Sequence, residues 1–219
     1  MLKRLFSLLT LTSLMLVLPV HATPLLQAVA ANDLAAVQNI LQNPAQAGLL
    51  EVRDELGRTP LLLATDHNRI AIARALIAAG ANVNAKDSRQ DSPYLLAGAQ
   101  GRLEILKMTL AHGADLGSTN RYGGTALIPA AERGHVAVVR TLIDAGVKVD
   151  HVNRLGWTAL LEAIILADGG TRHQEIVRML IAAGADVNLA DKDGVTPLQH
   201  ALRRNYTAMA TMLRAASAH

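Results

Sequence analysis

The sequence predicts an all-α solenoid in which pairs of helices, joined by short β-hairpin-like turns, stack one upon the next. The 219-residue chain contains 38 Ala and 36 Leu, and these residue types are among the strongest helix formers. It contains one Trp, one Phe and three Tyr, whereas β-sheets are enriched in aromatic and β-branched residues. Two short sequence markers also recur about every 33 residues, which is typical of stacked repeats.

The first element, residues 1–22, has the pattern of a secretory signal peptide. Lys3 and Arg4 supply the positive start, residues 5–18 are without charge, and Val20, His21 and Ala22 form a small-residue cleavage site. A membrane span needs roughly 20 apolar residues, and this uncharged stretch is only 14 residues long (residues 5–18). We therefore expect cleavage after Ala22 and a periplasmic protein with no membrane association; retention of the segment as an anchor is the alternative.

Charge and cysteine content exclude several classes of protein. Removing Lys3 and Arg4 from 21 basic residues leaves 19 against 18 acidic ones, a net charge of +1. Nucleic-acid-binding proteins concentrate basic residues and stacking aromatics on one face, so we expect no nucleic-acid partner. The absence of Cys excludes disulfides, thiolate zinc sites and cysteine nucleophiles.

The two markers divide residues 23–219 into repeats of one domain. The first marker, a hydroxyl residue followed by Pro or Ala, occurs at Thr59, Ser92, Thr125, Thr158 and Thr196. The second marker is a glycine at Gly80, Gly113, Gly146 and Gly184. Hydroxyl side chains cap helix N-termini and glycine ends helices. Each repeat is therefore expected to hold a first helix that begins at the hydroxyl residue and a second helix that ends at the glycine.

These markers resemble the ankyrin repeat family. The resemblance is carried by Gly-Arg-Thr-Pro-Leu at 57–61, Gly-Ala-Asn-Val-Asn-Ala-Lys-Asp at 80–87, and Gly-Ala-Asp-Val-Asn at 184–188. Gly-Val-Thr-Pro-Leu at 194–198 and the pair Gly134-His135 add to it. It implies an ankyrin repeat solenoid with an N-terminal cap at 23–56, four full repeats over about 57–190, and a C-terminal cap at 191–216.

The sequence also departs from the family pattern. The histidine that follows Thr-Pro-Leu in the family is absent, so we expect its hydrogen bonds between repeats to be lost and apolar packing to compensate. Pro129 falls within a predicted first helix, where its ring crowds the carbonyl four residues earlier. Gln90 replaces a turn glycine, which predicts that the second full repeat is the loosest internal one. Five extra residues, 167–171, lie between the helices of the fourth repeat.

Catalytic and metal-binding motifs are missing from the sequence. The histidines fall at different repeat positions, and no zinc-protease, nucleophile-elbow or phosphate-loop pattern occurs. Residues 191–194 indicate an ordinary turn, since the acids of a calcium loop are absent, and His173, near the insertion, is expected to be solvated. We therefore expect no enzyme activity, cofactor or metal.

The resemblance implies that the protein binds another protein through turn tips and the exposed ends of the first helices, the concave face. The candidate residues are Arg58, Asp66, His67, Arg89, Asp91, Gln100, Arg121, Tyr122, Glu132, Arg133, Arg154, Leu155, Trp157, Lys192 and Asp193. Large rings and arginine are typical of interface hot spots, although a core position for Trp157 is the alternative, and Tyr94 is expected to pack inside. Basic residues outnumber acids on the tips, which predicts a partner with an acidic patch. The scaffold itself is expected to be a monomer.

The sequence thus predicts a non-catalytic protein-binding scaffold in the periplasm. The alternative is an accessory factor of one envelope enzyme, acting as an inhibitor, chaperone or protector. Some exported bacterial ankyrin proteins of similar build are associated with peroxide defence. Within that alternative, the resemblance therefore favours a role in peroxide defence.

Overall fold

The computed structural model describes residues 23–219; the predicted signal peptide, residues 1–22, lies outside the described residues. Within that range the regular structure is helical and no strand is formed. The α-helices are α1 (Pro24–Ala30), α2 (Leu34–Leu41), α3 (Pro60–Asp66), α4 (Ile70–Ala78), α5 (Pro93–Ala99), α6 (Leu103–Ala111), α7 (Leu127–Glu132), α8 (Val136–Asp144), α9 (Ala159–Ile165), α10 (Thr171–Ala182), α11 (Pro197–Arg203) and α12 (Thr207–Ala215). A 3₁₀-helix, Pro44–Glu51, connects α2 to α3.

The helices form two layers, as the repeat pattern predicts. Each odd-numbered helix packs on its own even-numbered partner and on the odd-numbered helices before and after it. The even-numbered helices make a second, parallel row. No helix pair could bury its apolar faces alone, so the core runs continuously between the rows through all repeats. This confirms the all-α solenoid.

The predicted N-caps form at four of the five marker positions. The hydroxyls of Thr59, Ser92, Thr158 and Thr196 each accept a hydrogen bond from the backbone N–H three residues later. Thr125 does not, because α7 begins only at Leu127 and the buried Thr125 hydroxyl has no partner.

Pro129 explains the late start of α7. In the equivalent repeats the residue at this position donates its N–H to the carbonyl of the hydroxyl residue, as Leu96 does to Ser92 at 2.8 Å. Proline has no N–H to donate, so the Thr125 carbonyl accepts from Ile128 instead, at 3.3 Å. The crowding expected at Pro129 is therefore accommodated by a shorter helix.

The core is built from small and branched apolar side chains. Leu62, Leu95, Ile128 and Leu161, which replace the family's histidine, are all buried. Tyr94 is fully buried, which confirms that it packs inside. Gln90 has a φ of +65°, so it adopts the left-handed conformation that the missing glycine would favour.

Neighbouring repeats are linked by hydrogen bonds at a position that the sequence analysis did not predict. From α4 onward, a side chain at or near the start of each second helix donates to a backbone carbonyl of the preceding repeat. The donors and acceptors are Arg69 and Ala30, Arg102 and Asp66, His135 and Ala99, His173 and Glu132, and Tyr206 and Ala167. These bonds link neighbouring repeats at a position other than the missing histidine.

His173 is also placed differently from the prediction. It is only 6% exposed and lies in α10, not in solvent. Its Nδ1 lies 3.0 Å from Asp168 Oδ1, and its Nε2 lies 2.9 Å from the Glu132 carbonyl oxygen. The Gly170 N–H and the His173 ring together hold the pKa of Asp168 below its usual value. The insertion is therefore fastened to the preceding repeat by this histidine.

Candidate protein-binding groove

The same pattern of side-chain to backbone hydrogen bonds fixes each turn tip. In each turn an Asp or Asn side-chain oxygen accepts hydrogen bonds from the backbone N–H groups two and four residues later. These residues are Asp54, Asp87, Asn120, Asn153 and Asp191. Because both N–H groups are held, each tip presents its middle residue at a defined position.

Basic side chains tie each tip to its neighbour. Lys86 Nζ donates to the Thr119 carbonyl at 2.7 Å, and Arg154 Nη1 donates to the Arg121 carbonyl at 2.8 Å. Lys192 Nζ donates to the Arg154 carbonyl. Two residues predicted to bind a partner, Arg154 and Lys192, therefore form structural hydrogen bonds between repeats.

The tips and the first helices enclose a groove of about 540 Å³ on the concave face. Its walls come from the turns before α3, α5, α7 and α9 and from the C-terminal ends of those helices. The predicted site residues that line it are Arg58, Asp66, Arg89, Asp91, Gln100, Arg121, Tyr122, Glu132, Arg133 and Leu155. The fold thus brings ten residues spread over almost 100 positions into one cavity.

Five predicted residues lie elsewhere. His67 lines a smaller concavity between α1 and α3, and Arg154, Trp157, Lys192 and Asp193 do not line the groove. Trp157 is half-buried, so its side chain belongs neither to the groove nor to the buried core.

Most of the exposed large apolar side chains line the groove. Of six such residues in the described part of the chain, Leu56, Tyr122, Leu155 and Leu166 line the groove and are 49–52% exposed. Sequence reasoning missed Leu56 and Leu166. Leu56, Tyr122 and Leu155 share one tip position in their repeats, which is a signal that the sequence does contain.

Arg58 and Arg121, which both line the groove, pair with acids of the protein itself. Arg58 forms ion pairs with Asp54 at 2.7 Å and Asp66 at 2.8 Å. Arg121 lies 3.7 Å from Asp91 and 4.5 Å from the centroid of the Tyr122 ring. Burial and the nearby Asp87 raise the pKa of Asp91.

Glu162 lies in the C-terminal half of the groove and was not predicted from the sequence. The residue lines the groove yet is only 5% exposed, and its Oε1 accepts a hydrogen bond from Asn153 Nδ2 at 2.8 Å. Burial, with the charge of Glu132, raises its pKa to about 7, against the hydrogen bond from Asn153 and the charge of Arg133. A buried carboxyl group costs free energy when it ionises.

Two further features bear on what the chain can bind. Across residues 23–219 no group of three or more His, Cys, Asp or Glu side chains converges in a way that could hold a metal ion. None of the helices in that range combines the length and apolar character of a membrane span.

The stacked helix pairs, the fixed tips and the concave groove together define an ankyrin repeat protein. The model of the family of ankyrin repeats (3 copies) matches residues 5–87 and 94–191, and the chain belongs to this family. The sequence is similar to the ankyrin repeat protein YahD of Escherichia coli K12, with 48% identity over 58 residues. That match covers 26% of this chain and 29% of YahD.

Solved structures resemble nearly the whole described chain. An ankyrin repeat domain from Acinetobacter baumannii AYE is 61% identical, with a TM-score of 0.86 over 90% of this chain and 98% of the other. The ankyrin repeat protein EF0377 is 43% identical, with a TM-score of 0.83 over 87% and 96% of the two chains. The ankyrin repeat domain of Bcl-3, of the IκB family, is 28% identical, with a TM-score of 0.81 over 90% and 87%.

Proposed function

We propose that this protein is a non-catalytic protein-binding scaffold that holds its partner in the concave groove. The observation that carries this proposal is the convergence of Leu56, Tyr122, Leu155 and Leu166 in one preformed cavity. Folded proteins rarely leave neighbouring large apolar side chains exposed unless a ligand or partner covers them. Membership of the ankyrin repeat family supports the same class of function.

The partner is proposed to present an acidic patch to one side of the groove. Arg89 is half-exposed and only weakly paired with Asp87, at 3.4 Å. Arg133 donates to the Ala99 carbonyl and forms no ion pair within residues 23–219. Such charges at a rim affect the association rate more than the affinity.

The scaffold is proposed to act as a monomer in the periplasm. The support for export is the pattern of residues 1–22, with α1 beginning at Pro24, two residues past the expected cleavage site. Mass spectrometry of the protein from the producing cell should show a chain that begins at Thr23. A chain that begins at Met1 would contradict export with cleavage.

A paired set of variants tests the groove. We expect Tyr122→Ala with Leu155→Ala to abolish capture of the partner from a periplasmic extract while helical content stays unchanged. The matched control is Val152→Ala with Leu202→Ala, since both side chains are exposed to a similar degree but lie outside the groove. Equal capture by both double variants would refute the groove as the binding site.

A further inference from the structure

Glu162 stands at a repeat position that is otherwise apolar in the full repeats. The equivalent residues are Leu63, Leu96 and Pro129, each 33 residues apart, and Leu63 and Leu96 are buried. A leucine would satisfy packing here without the cost of a buried carboxyl. The fourth repeat therefore carries a polar group that the fold itself does not require.

The carboxyl group is held in place from one side. Asn153 Nδ2 donates to Glu162 Oε1, while Asn153 Oδ1 accepts from the N–H groups of Leu155 and Trp157. A single amide therefore links the carboxyl group to the tip that carries Leu155. Glu162 keeps a fixed position relative to that exposed leucine.

Two carboxylates of the groove form no ion pair within the described residues. Glu132 also lines the groove, and its charge contributes to the raised pKa of Glu162. Neither Glu132 nor Glu162 is in such a pair, whereas Arg58 and Arg121 pair with acids of the protein itself. Of the two charged neighbours that act on the pKa of Glu162, Glu132 has the larger effect and Arg133 the smaller.

Apolar side chains line the groove beside this carboxyl pair. Tyr122, Leu155 and Leu166 are about half-exposed and line the same cavity. Lysine and arginine side chains combine an apolar stem with a cationic head, so they fit a site with apolar walls and an anionic floor. An acidic or purely apolar side chain would leave the carboxyl group without a cationic partner.

We propose that Glu162 and Glu132 form a subsite for one lysine or arginine side chain of the bound protein, with its stem against Tyr122, Leu155 and Leu166. This inference rests on the proposed protein-binding function of the groove. The arginines of the groove call only for acidic residues in the partner. The subsite adds a second requirement, a basic residue flanked by apolar residues in the segment that the groove holds. The acidic patch of the partner would lie toward Arg89.

The test uses a phage-displayed library of random 12-residue peptides selected on the purified protein. Peptides whose binding is lost with Tyr122→Ala are kept as groove binders, and we expect them to share a Lys or Arg flanked by apolar residues. Isothermal titration calorimetry then compares each peptide with an analogue that has norleucine, an uncharged stem, at that position. The expected loss of affinity is about tenfold or more, as for hydrogen bonds to charged groups.

A double-mutant cycle assigns that loss to the two carboxylates. With Glu132→Gln and Glu162→Gln together, the lysine and norleucine peptides should bind equally well. Glu162→Leu combined with Glu132→Gln should do the same, and it places at 162 the leucine of two equivalent repeats. Glu175→Gln is the control, because Glu175 is half-exposed on α10 and pairs with Arg140 at 3.0 Å, outside the groove.

Two results overturn the subsite and separate it from the proposed function. Groove-dependent peptides without a basic residue, or a lysine preference that survives the carboxylate substitutions, would refute the subsite and leave the scaffold intact. If no selected peptide depends on Tyr122 or Leu155, the subsite and the groove are both refuted.

Discussion

Replacing Glu162 by Leu should stabilise the protein at alkaline pH. It should also remove one contribution to the pH dependence of the free energy of unfolding. The carboxyl group is 5% exposed, and its pKa rises from 4.5 in an unfolded chain to about 7 in the fold. An acid whose pKa is raised on folding adds stability that is present below pH 4.5 and is lost as the pH rises to 7. Above pH 7 the loss is complete.

The size of the effect follows from these two pKa values. Linkage gives a change of about 2.5 kcal/mol in the free energy of unfolding between pH 5 and pH 8. The leucine variant also loses the hydrogen bond from Asn153, worth about 1 kcal/mol. The two proteins should therefore be about equally stable at pH 5, and the variant should be more stable by about 2 kcal/mol at pH 8.

Urea unfolding at pH 5, 6, 7 and 8 measures this effect. The quantity to compare is the difference between the leucine variant and the unsubstituted protein at each pH, because histidines common to both cancel in it. His135 is one of these, since burial and Arg133 lower its pKa. Glu175→Gln, a substitution of a half-exposed carboxylate outside the groove, provides the control.

A difference that stays constant from pH 5 to pH 8 would refute the reasoning. It would mean that Glu162 is ionised to the same extent in the folded and unfolded chains. A variant that is less stable at every pH would show instead that the carboxyl group contributes packing or hydrogen bonds that outweigh its burial.

Three further substitutions test the packing of single repeats by urea unfolding. Gln90→Gly should raise stability by about 0.5–1 kcal/mol, because Gln90 has a φ of +65°; a loss would contradict the strain assigned to that turn. Tyr94→Phe should be neutral or stabilising by up to about 1 kcal/mol, since the buried hydroxyl has no hydrogen-bond partner; a clear loss would reveal a partner. His173→Ala should cost about 2 kcal/mol through its two hydrogen bonds, whereas His112→Ala, at an exposed site, should change little.

The solenoid could be predicted from the sequence because its determinants are local and repeated. Helix formers, N-cap hydroxyls and left-handed turn residues recur at one interval, and one prediction applies to every repeat. The missing N-cap at Thr125 was not predicted, because Pro129 acts on the carbonyl four residues earlier and thereby shifts the start of α7.

The groove could be predicted only in part. Ten of the predicted residues line it because tip and helix-end positions follow from the repeat register. Glu162 was missed because a polar residue within a first helix shows its burial only when neighbouring repeats are stacked. Arg154 and Lys192 were predicted to bind a partner, yet they donate to carbonyls 33 and 38 residues away, which the sequence does not reveal.

Site-specific photo-crosslinking in the producing cell tests the groove most directly. A benzophenone amino acid is placed at Leu155, which lines the groove, or at Val152, which lies in the same turn outside it and is similarly exposed. A protein adduct should form from position 155 and not from position 152. Equal adducts at both positions, or none at position 155, would contradict the claim that the groove holds a protein partner.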